Sequence, residues 1–230
     1  MEYGRIQIYH QGNYPDTVYS RDNGSLAENG CGLFTVNHAM QWIGMSNVPS
    51  PESMAQTDMQ RGVLGFDAGY FVKSAETYGF LAEDLYLCCN NREQFCSRID
   101  RLFRQGCAVT LHVSGDNGFT GRRTAGHYCA GVGITEDKSK VHIIDCSSGT
   151  TLGVLRCTDY QGYYYSDGLL KPIDKAWDMA DAIKAVTGNK TSAYFSGSEY
   201  WVDFDFVWSN QRYYNGTDND SGWTVAIKKA

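Results

Sequence analysis

The sequence contains no cluster of lysine and arginine, and its formal net charge is −6. Phosphate backbones are gripped by clustered positive charge, so nucleic acid is not an expected partner. No apolar stretch reaches the roughly 20 residues a membrane-spanning helix needs, and no membrane span is expected. The opening residues, Met1-Glu2-Tyr3-Gly4-Arg5, lack an apolar signal core. No signal peptide is therefore visible and the chain reads as cytoplasmic; a secreted chain trimmed of its leader would read the same. Eight cysteines stand at positions 31, 88, 89, 96, 107, 129, 146 and 157, with no C-x-x-C pair among them. That spacing argues against a zinc ribbon or a thioredoxin-type site. Several of these thiols sit inside apolar strand patterns, as reduced, buried cysteines do, which points to a reducing compartment.

What is present describes a globular chain. The hydrophobic fraction is 42% and the charged fraction 20%, ordinary values for a folded domain. A length of 230 residues suffices for one large domain with a sizeable core. The stretch that organises the rest is Gly30-Cys31-Gly32, followed at once by a helical pattern in which Leu33, Val36, Met40 and Ile43 recur at spacings of three and four. Flanking glycines permit a sharp turn and close backbone approach. A thiol in the first turn of a helix meets free N–H groups and the positive end of the dipole, which favour thiolate.

Before this helix, residues 5–11 alternate as a short strand, and a polar, turn-rich loop follows. After it, Ser50-Pro51 caps a helix that Gly62 stops, and a further helix is expected over 67–78, stopped by Gly79. Asn90 with Glu93 opens another, carrying Phe95, Ile99, Leu102 and Phe103 on one face and ending at Gly106. The period then changes. Strands are expected over 107–113, 126–134 and 141–146, with a glycine-rich loop at 115–124 and a polar turn at 136–140. Helices first and an antiparallel meander after give an α+β fold. Within the second strand, His127, Cys129, Gly131 and Gly133 share a face poor in side chains, suited to packing against another element such as the cysteine helix.

Beyond residue 150 aromatics crowd the chain, with Tyr160, Tyr163, Tyr164 and Tyr165 close together. A helix is expected over 173–186, an alternating strand over 199–208 and a last strand over 223–227. The acidic loop with Asp218 and Asp220 lacks the full ligand set of a calcium loop. This part is expected to extend the sheet and cover the core; an aromatic groove for peptide or glycan is the alternative.

Gln11, then Gly30-Cys31-Gly32 and its helix, then Gly126-His127, then Asp145 follow the order seen in papain-like cysteine peptidases. The sequence most resembles the bacteriocin-processing, double-glycine-leader peptidases and their free-standing soluble relatives, over about residues 6–150. Two positions depart from that pattern: Leu33 and Phe34 stand where the relatives usually have proline and then threonine or serine, and Cys146 follows the aspartate where they usually have proline. The resemblance implies a papain-like core over 1–150, with 151–230 as a C-terminal, aromatic-rich elaboration of the same domain. It implies that Cys31 attacks a carbonyl carbon, His127 accepts and returns the proton, Asp145 orients the imidazole and Gln11 donates to the oxyanion. The expected activity is hydrolysis of a peptide amide bond, without cofactor or metal. One alternative is a peptidoglycan-cleaving endopeptidase or amidase of the lysin or autolysin type, acting on cell-wall peptide. Another is a catalytically silent peptide- or glycan-binding module. Taken singly, Cys31 reads as a buried thiol, His127 as a satisfied strand histidine, Asp145 as a turn residue and Gln11 as a surface amide. His10, His38, His112 and His142 have no partner pattern and read as structural or surface residues, and His127, Cys129 and Cys146 lack the usual metal-ligand spacing.

Overall fold

Ser25 and Glu28 close the first helical turn. The Glu28 carboxylate accepts the Ser25 backbone N–H at 2.9 Å and its hydroxyl at 3.1 Å, as a capping box does. That turn is α1 (Leu26–Asn29), and after Gly30 the chain restarts as α2 (Cys31–Trp42). The structure, a computed structural model, describes residues 6–85, 91–113, 127–146, 156–157, 162–166, 169–173, 177–178, 199–205, 207–208 and 224–230.

The spacing in α2 predicts an amphipathic helix, but residues 32–40 are buried without a break. Its polar side chains are accordingly bonded inside the protein. Thr35 Oγ1 donates to the Cys31 carbonyl at 2.8 Å, Asn37 Nδ2 donates to the Pro49 carbonyl at 2.9 Å, and His38 Nε2 accepts the Tyr9 N–H at 2.9 Å. These bonds explain why residues 6–11 are not a strand. Their partners are side chains of α2: Gln41 accepts the Gln7 N–H at 2.7 Å and donates to the Gln7 carbonyl at 3.0 Å. Gln11–Asn13 then turns as a short 3-10 helix.

Three more helices follow the expected punctuation. α3 (Pro51–Arg61) has Ser50 as its cap and left-handed Gly62 at its end. α4 (Tyr70–Tyr78) ends at left-handed Gly79. It begins three residues later than expected because Asp67 closes a turn instead, accepting the Leu64 N–H at 2.7 Å and pairing with Arg21. α5 (Arg92–Arg104) is capped by Asn91, which accepts the Gln94 N–H at 3.0 Å; Asn90 lies outside the described residues.

Among the described residues, ten strands complete the mixed α+β fold: β1 (Phe80–Asp84), β2 (Ala108–Val113), β3 (His127–Ile134), β4 (Lys140–Ile144), β5 (Arg156–Cys157), β6 (Gly162–Ser166), β7 (Leu169–Ile173), β8 (Trp177–Asp178), β9 (Glu199–Asp203) and β10 (Val225–Lys229). Eight of them form one sheet in the order β1-β10-β2-β3-β4-β9-β6-β7, and β5 pairs with β8. Every pairing is antiparallel. The meander β2-β3-β4 matches the periodic reading. β1 carries no such signal, because a five-residue strand leaving a helix at Gly79 has too few positions to show a period.

Two expectations in the C-terminal third give way. At the described positions of 173–186, Ile173 closes β7 and Trp177–Asp178 is β8, so no helix runs there; 179–186 lies outside the described residues, as do the glycine-rich and acidic loops and Tyr160. The alternating run leaves the sheet after Asp203, where the Phe204 N–H donates to the Ser139 carbonyl at 2.8 Å and the chain turns helical. Fully buried Phe204 then packs on Phe95 of α5.

The two faces of β3 are also divided otherwise than expected. Tyr128, Ala130 and Val132 join the core that contains Leu33, Val36 and Met40 of α2. A side chain at Gly131 would meet Leu111 at 2.9 Å and Phe103 of α5 at 3.4 Å, so the bare face accommodates the α5 ring instead of the cysteine helix. Among the described residues, no helix is long and apolar enough to cross a membrane.

Gly32 reports how tightly α2 is seated. A Cβ there would lie 2.1 Å from the Gly65 carbonyl oxygen, a backbone atom with no freedom to swing aside. Gly32→Ala should lower stability by about 1–3 kcal/mol, the usual cost of overpacking a core. Urea unfolding checks this: the midpoint falls while the slope is unchanged.

Candidate active site

Cys31 is the first residue of α2, held by backbone contacts on both sides. A Cβ at Gly30 would lie 2.4 Å from the Leu26 carbonyl, so only glycine joins α1 to α2 here. Behind Gly32, the Gly65 loop is buttressed by a buried carboxylate. The Gly65 N–H donates to Tyr19 Oη at 2.7 Å, and that hydroxyl donates to Asp58 Oδ2 at 2.8 Å. Tyr70 donates to the same oxygen at 2.7 Å and Tyr78 to Oδ1 at 2.7 Å. Burial raises the Asp58 pKa against the opposing pull of these hydroxyls, and burial beside Asp58 drives Tyr19 and Tyr70 well above the ordinary tyrosine value. The sequence reading missed this cluster. Its one local signal was an aspartate placed among Met54 and Ala55 on the buried side of α3.

His127 opens β3 and Asp145 immediately follows β4. The antiparallel register sets Ala130 opposite Ile144, so the start of one strand lies beside the end of the other. His127 Nε2 and Asp145 Oδ1 are 2.6 Å apart, with the two residues 8% and 1% exposed. Burial lowers the His127 pKa, but the Asp145 charge and hydrogen bond, with the Cys31 thiol, outweigh it and raise the value to about 10. Cys31 is the second group that acts on this ring, raising its pKa.

Gln11 reaches the same place from the N-terminal segment. Its backbone N–H donates to the Cys146 carbonyl at 2.8 Å. Its Oε1 accepts the Cys146 thiol at 3.4 Å, and its Nε2 donates to the Ala27 carbonyl at 2.7 Å. The amide thus bridges the residue after Asp145 to the turn before Cys31. The four expected residues gather around one end of the interior strands β3 and β4. Cys146, weighed in the sequence as a departure from the resembling pattern and as a metal ligand without the usual spacing, bonds Gln11 directly after Asp145.

His127, Asp145 and Cys146 offer ligand atoms within 4.8 Å of one another. Such a set suits a borderline-soft divalent cation. Here, however, His127 and Asp145 are bonded directly to each other, and the Cys146 S–H is directed at Gln11. Burial, then the charges of Asp145 and Cys31, push the Cys146 thiol well above its ordinary pKa, which keeps it protonated. Burial lowers His38 to about 3 and His142 to about 4, so both are neutral.

No protein-family model matches the chain, and no curated protein matches it.

Cys31 is half-buried, whereas Cys96, Cys107, Cys129 and Cys146 are buried. With an imidazolium beside it, Cys31 should be the first of these five alkylated by iodoacetamide at about pH 6, where free thiols are almost wholly protonated. His127→Ala should remove most of that reactivity. Peptide mapping by mass spectrometry reads each site, and labelling of Cys96 ahead of Cys31 would contradict this geometry.

Proposed function

We propose that this chain is a cysteine peptidase, a papain-like thiol hydrolase that cleaves an amide bond in a peptide. Residues 1–150 build the catalytic core, β10 completes its sheet, and β6, β7 and β9 elaborate it on the far side. One observation carries the reading: a cysteine at the start of a buried helix acts on a histidine that a buried aspartate holds at 2.6 Å.

The chemistry follows from that arrangement. The Cys31 proton passes to His127 Nδ1, and Asp145 stabilises the imidazolium and fixes its tautomer. Sulfur attacks the carbonyl carbon, and the oxyanion accepts the Cys31 backbone N–H, which has no intrahelical partner. Gln11 Nε2 carries two N–H groups; one is on Ala27, and the other is the second oxyanion donor. His127 then protonates the departing amine, leaving a thioester. Water attacks the thioester as His127 takes its proton, the C–S bond breaks, and the acid and the thiolate–imidazolium pair are restored. The reaction so written uses no cofactor.

Cys31→Ala and His127→Ala should each lower kcat on the order of 10⁶-fold, because nucleophile and base act as a unit. Gln11→Ala should cost about a hundredfold to a thousandfold in kcat with little change in KM. A peptide-library digest read by mass spectrometry is the direct assay. Clearing of purified cell walls without turnover of the library would replace this reading with a wall hydrolase, and turnover that tracks added metal and stops with chelator would remove the thiol mechanism.

The pH profile gives an independent check. His127 is held protonated up to about pH 10, so the alkaline limb of kcat/KM should lie near there. Asp145→Asn removes the charge that raises the value and leaves the burial that lowers it. The limb should then move to lower pH. A limb that stays in place would mean that Asp145 does not act on His127.

A further inference from the structure

We infer that Cys146 is a positioning residue for Gln11: its thiol holds the Gln11 carboxamide in the one orientation that turns the NH₂ end toward the start of α2. This rests on the hydrolase reading above. A carboxamide has two ends of nearly equal size and opposite hydrogen-bonding character, and only the NH₂ end can serve an oxyanion. Two contacts discriminate between the ends. The Ala27 carbonyl, 2.7 Å from Nε2, accepts and cannot donate. The Cys146 thiol, 3.4 Å from Oε1, supplies the donor on the opposite side. Its buried place beside Asp145 opposes ionisation, so the S–H is retained at neutral pH.

The backbone of this segment does not depend on the thiol. Gln41 brackets Gln7, His38 accepts the Tyr9 N–H, and the Cys146 carbonyl accepts the Gln11 N–H. Burial keeps His38 neutral, so its Nε2 stays an acceptor throughout the working pH range. These anchors survive any change of the Cys146 side chain. What a substitution there removes from Gln11 is the hold on its amide plane. Cys146 Sγ also lies within 4.8 Å of His127 and Asp145 ligand atoms, and a loss through Gln11 is told apart from a loss through that pair by whether it persists when Gln11 is replaced.

The experiment is a double-mutant cycle on kcat and KM with a cleavable peptide, using Cys146→Ala, Cys146→Ser, Gln11→Ala and the double variant of Gln11→Ala with Cys146→Ala. Cys146→Ala should lower kcat about threefold to tenfold, the scale one weak hydrogen bond commands, with KM unchanged. Cys146→Ser, which keeps an O–H donor, should recover most of the loss. In the Gln11→Ala background, Cys146→Ala should have no further effect. An equal loss in both backgrounds, or no loss in the intact chain, overturns the inference. A second readout is independent of turnover: the side-chain ¹⁵NH₂ signals of Gln11, assigned by their disappearance in Gln11→Ala. Cys146→Ala should shift and broaden them and Cys146→Ser should leave them sharp. Signals unmoved in Cys146→Ala overturn the inference whatever the activity. An intact protein that cleaves no peptide, with the signals moving as expected, overturns the hydrolase reading and leaves the positioning of Gln11 standing.

Discussion

Nine consecutive residues of α2 are buried, from Gly32 to Met40, and a helix enclosed in that way tolerates no loose polar group. Each buried polar side chain on it must find a partner, and the partners are what draw the neighbouring chain into place. Asn37 fixes the loop at Pro49, and His38 with Gln41 fixes the N-terminal segment. The Gly32 backbone admits the Gly65 loop at a distance no side chain would allow. Because all these elements are set from one rigid helix, Cys31 at its front end is placed relative to Gln11, Gly65 and β3 together.

Two buried aspartates flank this helix, and their surroundings send them in opposite directions. Asp58 meets only neutral donors, three tyrosine hydroxyls, and burial shifts it toward the protonated form. Asp145 meets an imidazole, and the ring becomes the group that shifts, upward. The first arrangement is a brace whose work is geometric. The second keeps a charge pair at the edge of the core, where a thiol and a ring nitrogen meet. Environment, not residue type, separates the two roles.

Much of this was legible in the sequence. Strong punctuation at Ser50-Pro51, Gly62, Gly79 and Gly106 marked helix boundaries, and the apolar runs after Cys107 marked the meander. The grouping of Cys31, His127, Asp145 and Gln11 was what the resemblance implied, and adjacent antiparallel strands accounted for the approach of His127 to Asp145. Other features lacked a local signal. Residues 6–11 alternate as a strand would, yet their partners are side chains 29 to 34 positions away, which no periodicity encodes. The tyrosines around Asp58 are brought together only by tertiary packing. The run after Asp203 continues its alternation past the point where a bond to Ser139 takes the backbone off the ladder. The Ser25–Glu28 cap has the spacing of a capping box but closes a turn of only four helical residues, too short to show a helical period.

The position of β10 bears on how such a molecule comes to be made. Residues 225–229 lie between β1 and β2, pairing Glu83 with Ala226 and Val109 again with Ala226. A chain emerging from the ribosome therefore presents β1 and β2 long before the strand that joins them exists. Contacts so distant in sequence form slowly, and until they form both edges are open templates for pairing with another chain. Lys228, which reaches Glu83 of β1, adds a charge to the last strand that a foreign strand would not reproduce. The sheet behind the cysteine is thus closed by a strand synthesised well after both of its neighbours, which orders assembly in time as well as in space.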